Sequence, residues 1–120
     1  MAIILTADDT ATMRQMISFT LGSVGHEVVQ ATDGMEALQI ARGRKFDLVI
    51  ADINMPNMDG ISLVKSLREL PDYRFTPILV LTTESQDQKR QQGRSAGATG
   101  WIVKPFNPEQ LLTVVKKVLG

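Results

Sequence analysis

Six side chains in this sequence have the types and placement to do chemistry together: Asp8 and Asp9 near the start, Asp52 with Asn54 two residues on, Thr82, and Lys104 near the end. Brought into one crevice, three carboxylates would repel strongly. Two of them about 5 Å apart cost roughly 3 kcal/mol at an effective dielectric near 20, and one lysine does not comfortably neutralise three such pairs. A hard divalent cation resolves the conflict. Mg²⁺ takes oxygen ligands, keeps some of its water and is usually held by one or two carboxylates plus a phosphate oxygen, whereas Zn²⁺ would ask for His or Cys ligands that these positions lack. A carboxylate beside such an ion, with a lysine and a hydroxyl in reach, is also equipped for phosphoryl transfer. Asp52, the central member, is the expected nucleophile. Asp8 and Asp9 are then the metal holders, Lys104 a counter-charge for the equatorial phosphoryl oxygens, and Thr82 a hydrogen-bond donor to them.

These residues can meet only if the chain positions them, and its pattern provides for that. Short apolar runs alternate with segments of helical period, which indicates parallel strands joined by crossover helices. The expected strands are Ala2 to Thr6, Glu27 to Ala31, Leu48 to Ala51, Pro77 to Leu81 and Gly100 to Val103. Several are continuous apolar runs, as expected for strands covered on both faces; the second alternates weakly and is placed at an edge. The first helix carries Met13, Met16, Ile17, Thr20, Leu21 and Val24 and ends by Gly25. Asp33 with Glu36 signals a capping box for the second, which stops near Gly43. Ile61, Val64 and Leu67 mark a third before Pro71. The fourth, roughly Gln86 to Ala96, is almost wholly polar with Gly93 inside it, so its anchoring is sparse and it is expected to move. Asn107, Pro108 and Gln110 open the fifth with a cap, a first-turn proline and a second box. Five strands and five helices in strict alternation form a doubly wound α/β sheet. In such sheets the crevice lies beyond the carboxyl ends of the strands, where every residue of the chemical set falls.

Composition narrows the function. The chain has 120 residues, room for one domain, and its 13 basic and 13 acidic residues cancel, which disfavours a nucleic-acid surface. It contains no cysteine, so disulfides and thiolate chemistry are excluded. Neither a signal-peptide core nor a membrane-length apolar run is present, and the expectation is a monomeric cytoplasmic protein.

The full set, Asp8-Asp9, Asp52, Thr82 and Lys104-Pro105-Phe106, together with Asn54-Met55-Pro56, Asp59-Gly60 and Thr12-Met13-Arg14, resembles the signature of response-regulator receiver domains, most nearly the stand-alone chemotaxis regulators of the CheY type. The likeness covers the whole chain. It implies a flavodoxin-like sheet of order 2-1-3-4-5 and phosphorylation of Asp52 by a histidine kinase or phosphotransfer protein. It further implies Mg²⁺ bound by Asp9, Asp52 and the Asn54 carbonyl, with Asp8 acting mostly through water, and a cis bond between Lys104 and Pro105. Asn54 and Glu84 occupy positions that tune loss of the phosphoryl group. The face of helix four, strand five and helix five is the implied surface for a protein target, and output is expected through such contacts. Two positions depart from the family: Thr6-Ala7 replaces the usual apolar pair, and Trp101 stands where a smaller ring commonly turns inward on activation.

Blander readings exist for each residue alone. Asp8-Asp9 could cap a helix, Asp52-x-Asn54 could be a turn, Thr82 a cap and Lys-Pro a strand end; their joint placement past successive strands favours the site. His26 reads as a surface residue, and Phe19, Phe46 and the first-helix methionines as core. A phosphatase of the haloacid dehalogenase type shares the residue types, yet there the nucleophile precedes the acid pair, and Asn54 cannot act as the general acid. A flavin module, a passive scaffold, a phosphorelay intermediate and a phosphate sink are the remaining alternatives.

Overall fold

The computed structural model of the chain describes residues 1–83 and 87–120. Five strands, β1 (Ile3–Ala7), β2 (Glu27–Ala31), β3 (Leu48–Asp52), β4 (Ile78–Thr82) and β5 (Gly100–Val103), alternate with five helices, α1 (Ala11–Gly22), α2 (Gly34–Gly43), α3 (Gly60–Glu69), α4 (Asp87–Ala96) and α5 (Pro108–Leu119). A 3₁₀ turn at Pro71–Tyr73 follows α3. The strands form one parallel sheet in the order β2-β1-β3-β4-β5.

Alternation along each strand divides the core in two. Leu5, Ala7, Val49, Ala51, Ile78 and Val80 face α2, α3 and α4, meeting Ala37, Leu38, Leu63, Val64, Leu67 and Ala96. Ile4, Leu48, Ile50, Leu79, Leu81 and Ile102 face Ile17 and Leu21 of α1 and Leu111 and Val115 of α5. The sequence expectation of apolar runs covered on both sides holds for β3 and β4, all of whose residues are buried. The weakly alternating β2 lies at an edge with its Glu27 and Gln30 exposed.

Local signals set the helix ends. Asn107 accepts from the Gln110 N–H at 2.8 Å and Gln110 Oε1 accepts from the Asn107 N–H at 2.9 Å, a complete capping box ahead of Pro108. At α2 the box is offset by one residue. Asp33 accepts from the Glu36 N–H, but the Glu36 carboxylate reaches back to the N–H of Thr32 at 2.7 Å. The Glu36 N–H, with the side-chain amide of Asn57, holds the Asp33 carboxyl below its usual range.

Two residues of the expected first-helix core lie elsewhere. Phe19 is 81% exposed and Val24 53% exposed. The buried stripe of α1 is Ile17, Thr20 and Leu21, and Phe19 is two positions from Ile17, about 200° round the helix axis. The helix stops at Gly22, so Val24 falls in the turn that reverses at Gly25, where φ is 93°. Met13 and Met16 are partly buried against the core, and Phe46 is fully inside it. His26 is half-buried, its Nδ1 accepting from the Ala2 N–H at 3.0 Å.

Thr6 occupies the middle of β1 with no exposure, and its hydroxyl finds no partner among the described residues. An unmade hydrogen bond in the core costs about 1–3 kcal/mol. Thr6→Val, which keeps the shape and removes the orphan oxygen, is therefore expected to raise stability by about 1 kcal/mol, read as a higher urea midpoint at unchanged slope. A lower midpoint would mean that the hydroxyl has a partner in solution.

Candidate active site

Parallel register explains how residues far apart in sequence come together. Ala7 pairs with Ala51, so Asp8 and Asp52 emerge side by side from β1 and β3. Asp52 pairs with Leu81 and Thr82 with Val103, so Thr82 and Lys104 arrive at the same level from β4 and β5. Backbone bonds extend the ladder: the Ile53 N–H donates to Leu81 O at 2.9 Å, and the Lys104 N–H to Thr82 O at 2.6 Å. The peptide bond between Lys104 and Pro105 is cis, as the family resemblance implied.

Burial separates the acids. Asp8 is fully buried, Asp52 is 5% exposed and Asp9 is exposed. One carboxylate oxygen from each lies within 4.8 Å of the others. Lys104 Nζ bridges two of them, donating to Asp52 Oδ2 at 3.0 Å and to Asp8 Oδ2 at 3.3 Å. The other oxygens are also engaged. Asp8 Oδ1 accepts from the Thr10 N–H at 2.8 Å, and Asp52 Oδ1 from the Asn54 N–H at 3.3 Å. Thr82 is buried beside them, 4% exposed.

Burial pushes the Asp52 carboxyl above the ordinary carboxylate range; the hydrogen bond and charge of Lys104 pull the other way, and the Asp8 charge adds to the rise. Lys104 is held above its ordinary value. Burial alone would lower it, and its hydrogen bonds and charge interactions with Asp52 and Asp8 outweigh that. Lys104 is therefore a firm ammonium at neutral pH, and the metal-free cluster keeps a net negative charge. All-oxygen donors, one exposed carboxylate and surplus negative charge fit a hard divalent ion.

Glycine shapes the floor. The Gly60 N–H donates to Ile53 O at 3.0 Å, and any side chain at Gly60 would collide with the carbonyl oxygen of Asp52. A side chain at Gly34 would likewise strike the Met58 carbonyl. These contacts hold the loop after β3 against the starts of α3 and α2.

The sequence-derived residues Asp8, Asp9, Asp52, Thr82 and Lys104 meet at one edge of the sheet, with Asn54 exposed in the loop beside them. Trp101 sits half-buried on β5 opposite Val80. Glu84 lies outside the described residues. One residue quoted only for the resemblance also has a role here: Arg14 Nη1 donates to the backbone carbonyl of Asp8 at 2.6 Å and fixes the acid loop from α1. Its sequence signals are its place in the Thr12-Met13-Arg14 run and a position one turn into the helix after the acid pair.

A five-stranded parallel sheet of this order, carrying acids past β1 and β3 and a lysine past β5, defines the receiver class. The chain belongs to the response regulator receiver domain family, whose model matches residues 4–116. Its likeness extends to the chemotaxis type. It is 52% identical to the chemotaxis response regulator CheY4 of Vibrio cholerae, with a TM-score of 0.96 over 98% of both chains. It is 38% identical over 119 residues to a chemotaxis protein CheY homologue of Campylobacter jejuni, covering 98% of this chain and 92% of the homologue. The receiver domain of the sensor histidine kinase PA1611 from Pseudomonas aeruginosa PAO1, described with a magnesium ion coordinated in its active-site cleft, is 27% identical. It has a TM-score of 0.92 and the match covers 99% of this chain and 98% of that one. The chain spans 47% of the length of transcriptional regulators that it also matches. Among the described residues no helix is long and apolar enough to cross a membrane.

Proposed function

We propose that this receiver domain accepts a phosphoryl group on Asp52 from a histidine kinase or phosphotransfer protein, with Mg²⁺ bound, and thereby changes its affinity for a protein target in a chemotaxis or related chemosensory pathway of the cytoplasm. The observation that carries the reading is Lys104 held between Asp8 and Asp52 at 3.3 and 3.0 Å, with Asp9 exposed beside them. Mg²⁺ would be held by Asp9, Asp52 and the Asn54 carbonyl, with Asp8 behind, and when bound it neutralises charge on the phosphoryl oxygens.

The chain's own residues account for the rest. Asp52 offers a carboxylate oxygen as nucleophile, and the donor's bond to phosphorus breaks as the acyl phosphate forms. Lys104, already bonded to Asp52, is the mobile cation placed to follow the new phosphate, and the Thr82 hydroxyl is a second donor toward it. The conformational consequence is carried through Thr82 and Trp101 to the face of α4, β5 and α5. Asn54 and Glu84 set how fast water removes the phosphoryl group. No turnover of an external substrate is expected. The magnesium described for the PA1611 receiver supports the choice of ion.

Incubation with acetyl phosphate and Mg²⁺ is expected to add one phosphoryl group to the intact protein by mass spectrometry, and none when Mg²⁺ is chelated or in Asp52→Asn. Steady hydrolysis of a generic phosphate ester without a labelled protein species would instead favour a phosphatase.

A further inference from the structure

Trp101 belongs to the β4 and α4 side of β5, because its neighbour Ile102 faces the core under α1 and α5. There the guanidinium of Arg94, in the last turn of α4, lies 5.3 Å from the centroid of the indole. This distance is within cation–π range. The turn that carries Arg94 is itself fixed. Gly97, at φ 109°, closes α4 with its N–H directed to Gly93 O at 3.2 Å, and Arg68 Nε donates to Gly97 O at 2.9 Å, tying the helix end to α3. Arg94 forms no ion pair among the described residues, so no carboxylate there competes with the ring for its charge. Beside the stack lies a groove of about 360 Å³ that also touches Val114 and Lys117 of α5. The clamp at Gly97 fixes the turn that carries Arg94, and the stack on that guanidinium opposes movement of the ring away from α4.

We propose that Arg94 is a positioning residue that holds Trp101 against α4 and so sets how far the switch is tipped toward its resting state before phosphorylation. The inference rests on the reading of Trp101 as the ring that turns on activation. If the ring leaves its place beneath α4, the contact with Arg94 is lost, so Arg94 stabilises one state alone. Differential interaction of this kind shifts a two-state equilibrium. For a cation–π contact at an exposed site the factor is about two- to fivefold. While the resting state predominates, any activating ligand must overcome that factor, and its apparent affinity falls by the same ratio. The indole, the best aromatic partner for a cation, gives the latch its strength at a position where smaller rings are common.

The test uses the fluorescence of Trp101, the sole tryptophan. Beryllofluoride is titrated into the full-length protein in saturating Mg²⁺, and ring exposure is followed with acrylamide, a neutral quencher insensitive to the loss of a nearby charge. In Arg94→Gln the beryllofluoride midpoint is expected to fall two- to fivefold and quenching in the Mg²⁺-only state to change toward that of the activated protein. Arg94→Lys should return most of the parent midpoint. If the parent responds to beryllofluoride and Arg94→Gln keeps the same midpoint or raises it, the latch is overturned while the moving ring stands. If parent quenching is identical with and without beryllofluoride, the ring does not turn and the latch falls with it.

Discussion

Mg²⁺ is expected to raise the melting temperature of the parent protein by 10 °C or more at a hundredfold excess over its dissociation constant, and Asp52→Asn is expected to raise that of the metal-free protein by about 4 °C while losing most of the response to Mg²⁺. The first figure follows from mass action: a ligand that binds only the native state at that excess adds about 2.7 kcal/mol, and about 1 kcal/mol moves the midpoint of a domain this size by roughly 4 °C. The second follows from the direction of the Asp52 shift. Its carboxyl sits above the ordinary value in the folded state, chiefly because it is buried and also because Asp8 is near. The folded state therefore prefers the neutral form. That preference contributes stability below the unfolded value near 3.8, loses it as pH rises through the raised folded value, and leaves a penalty at neutral pH. An amide removes the penalty without stranding a cation, since Lys104 keeps Asp8 at 3.3 Å. The net gain is about 1 kcal/mol after loss of the Lys104 bond. The metal-free difference between parent and variant should shrink as pH falls from 7 toward 4. A parent melting curve indifferent to Mg²⁺, or a metal-free variant less stable than the parent, contradicts this account of the cluster.

Arg68→Ala is expected to be the most damaging single substitution outside the hydrophobic core, costing about 3 kcal/mol and lowering the melting temperature by more than 10 °C. One guanidinium serves two stretches of backbone, residues 73–76 and Gly97. Nη1 donates to Tyr73 O at 2.6 Å and Thr76 O at 2.7 Å, with Arg74 O at 3.4 Å, and Nε donates to Gly97 O at 2.9 Å. Nη2 lies 3.4 Å from Thr99 Oγ1, whose oxygen in turn accepts from the Ile78 N–H at 3.0 Å. Removal leaves several partly buried carbonyls without a donor and unties the end of α4 from α3. Lysine should recover less than half of the loss, because a single ammonium cannot span carbonyls presented to a planar fork. Urea unfolding of the three proteins decides the matter. A cost below 1 kcal/mol would mean that water replaces these bonds freely.

Arg68 also shows what the sequence conceals. On α3 the periodic signal is Ile61, Val64 and Leu67, and Arg68 reads as a charged last-turn residue that complements the helix dipole. Its carbonyl partners lie up to 29 residues away, and a backbone carbonyl is supplied equally by any residue type. Tyr73 is hidden for the same reason: its hydroxyl donates to Arg44 O at 2.6 Å, with Ala41 O at 2.9 Å, from inside the core. The sheet and the acid cluster were legible because their signals are local. Apolar runs mark β3 and β4, Asn107 and Gln110 mark the start of α5, and each chemical residue stands at or just past the end of a strand. Phe19 was misplaced because apolar character alone does not fix helical phase, and two positions suffice to turn a side chain outward. The stack of Arg94 on Trp101 joins residues on two elements whose relative position is a matter of packing. Such contacts follow from the fold and do not announce it.

The most direct measurement of the central claim is chemical trapping of the phosphorylated residue. Protein treated with acetyl phosphate and Mg²⁺ is reduced with borohydride, which converts an acyl phosphate on aspartate to homoserine, and the digest is sequenced by tandem mass spectrometry. Homoserine at position 52, with unmodified Asp8 and Asp9, is the expected result. Homoserine at either of those positions, or a Mg²⁺-dependent phosphate resistant to borohydride, would contradict the assignment of Asp52 as the acceptor.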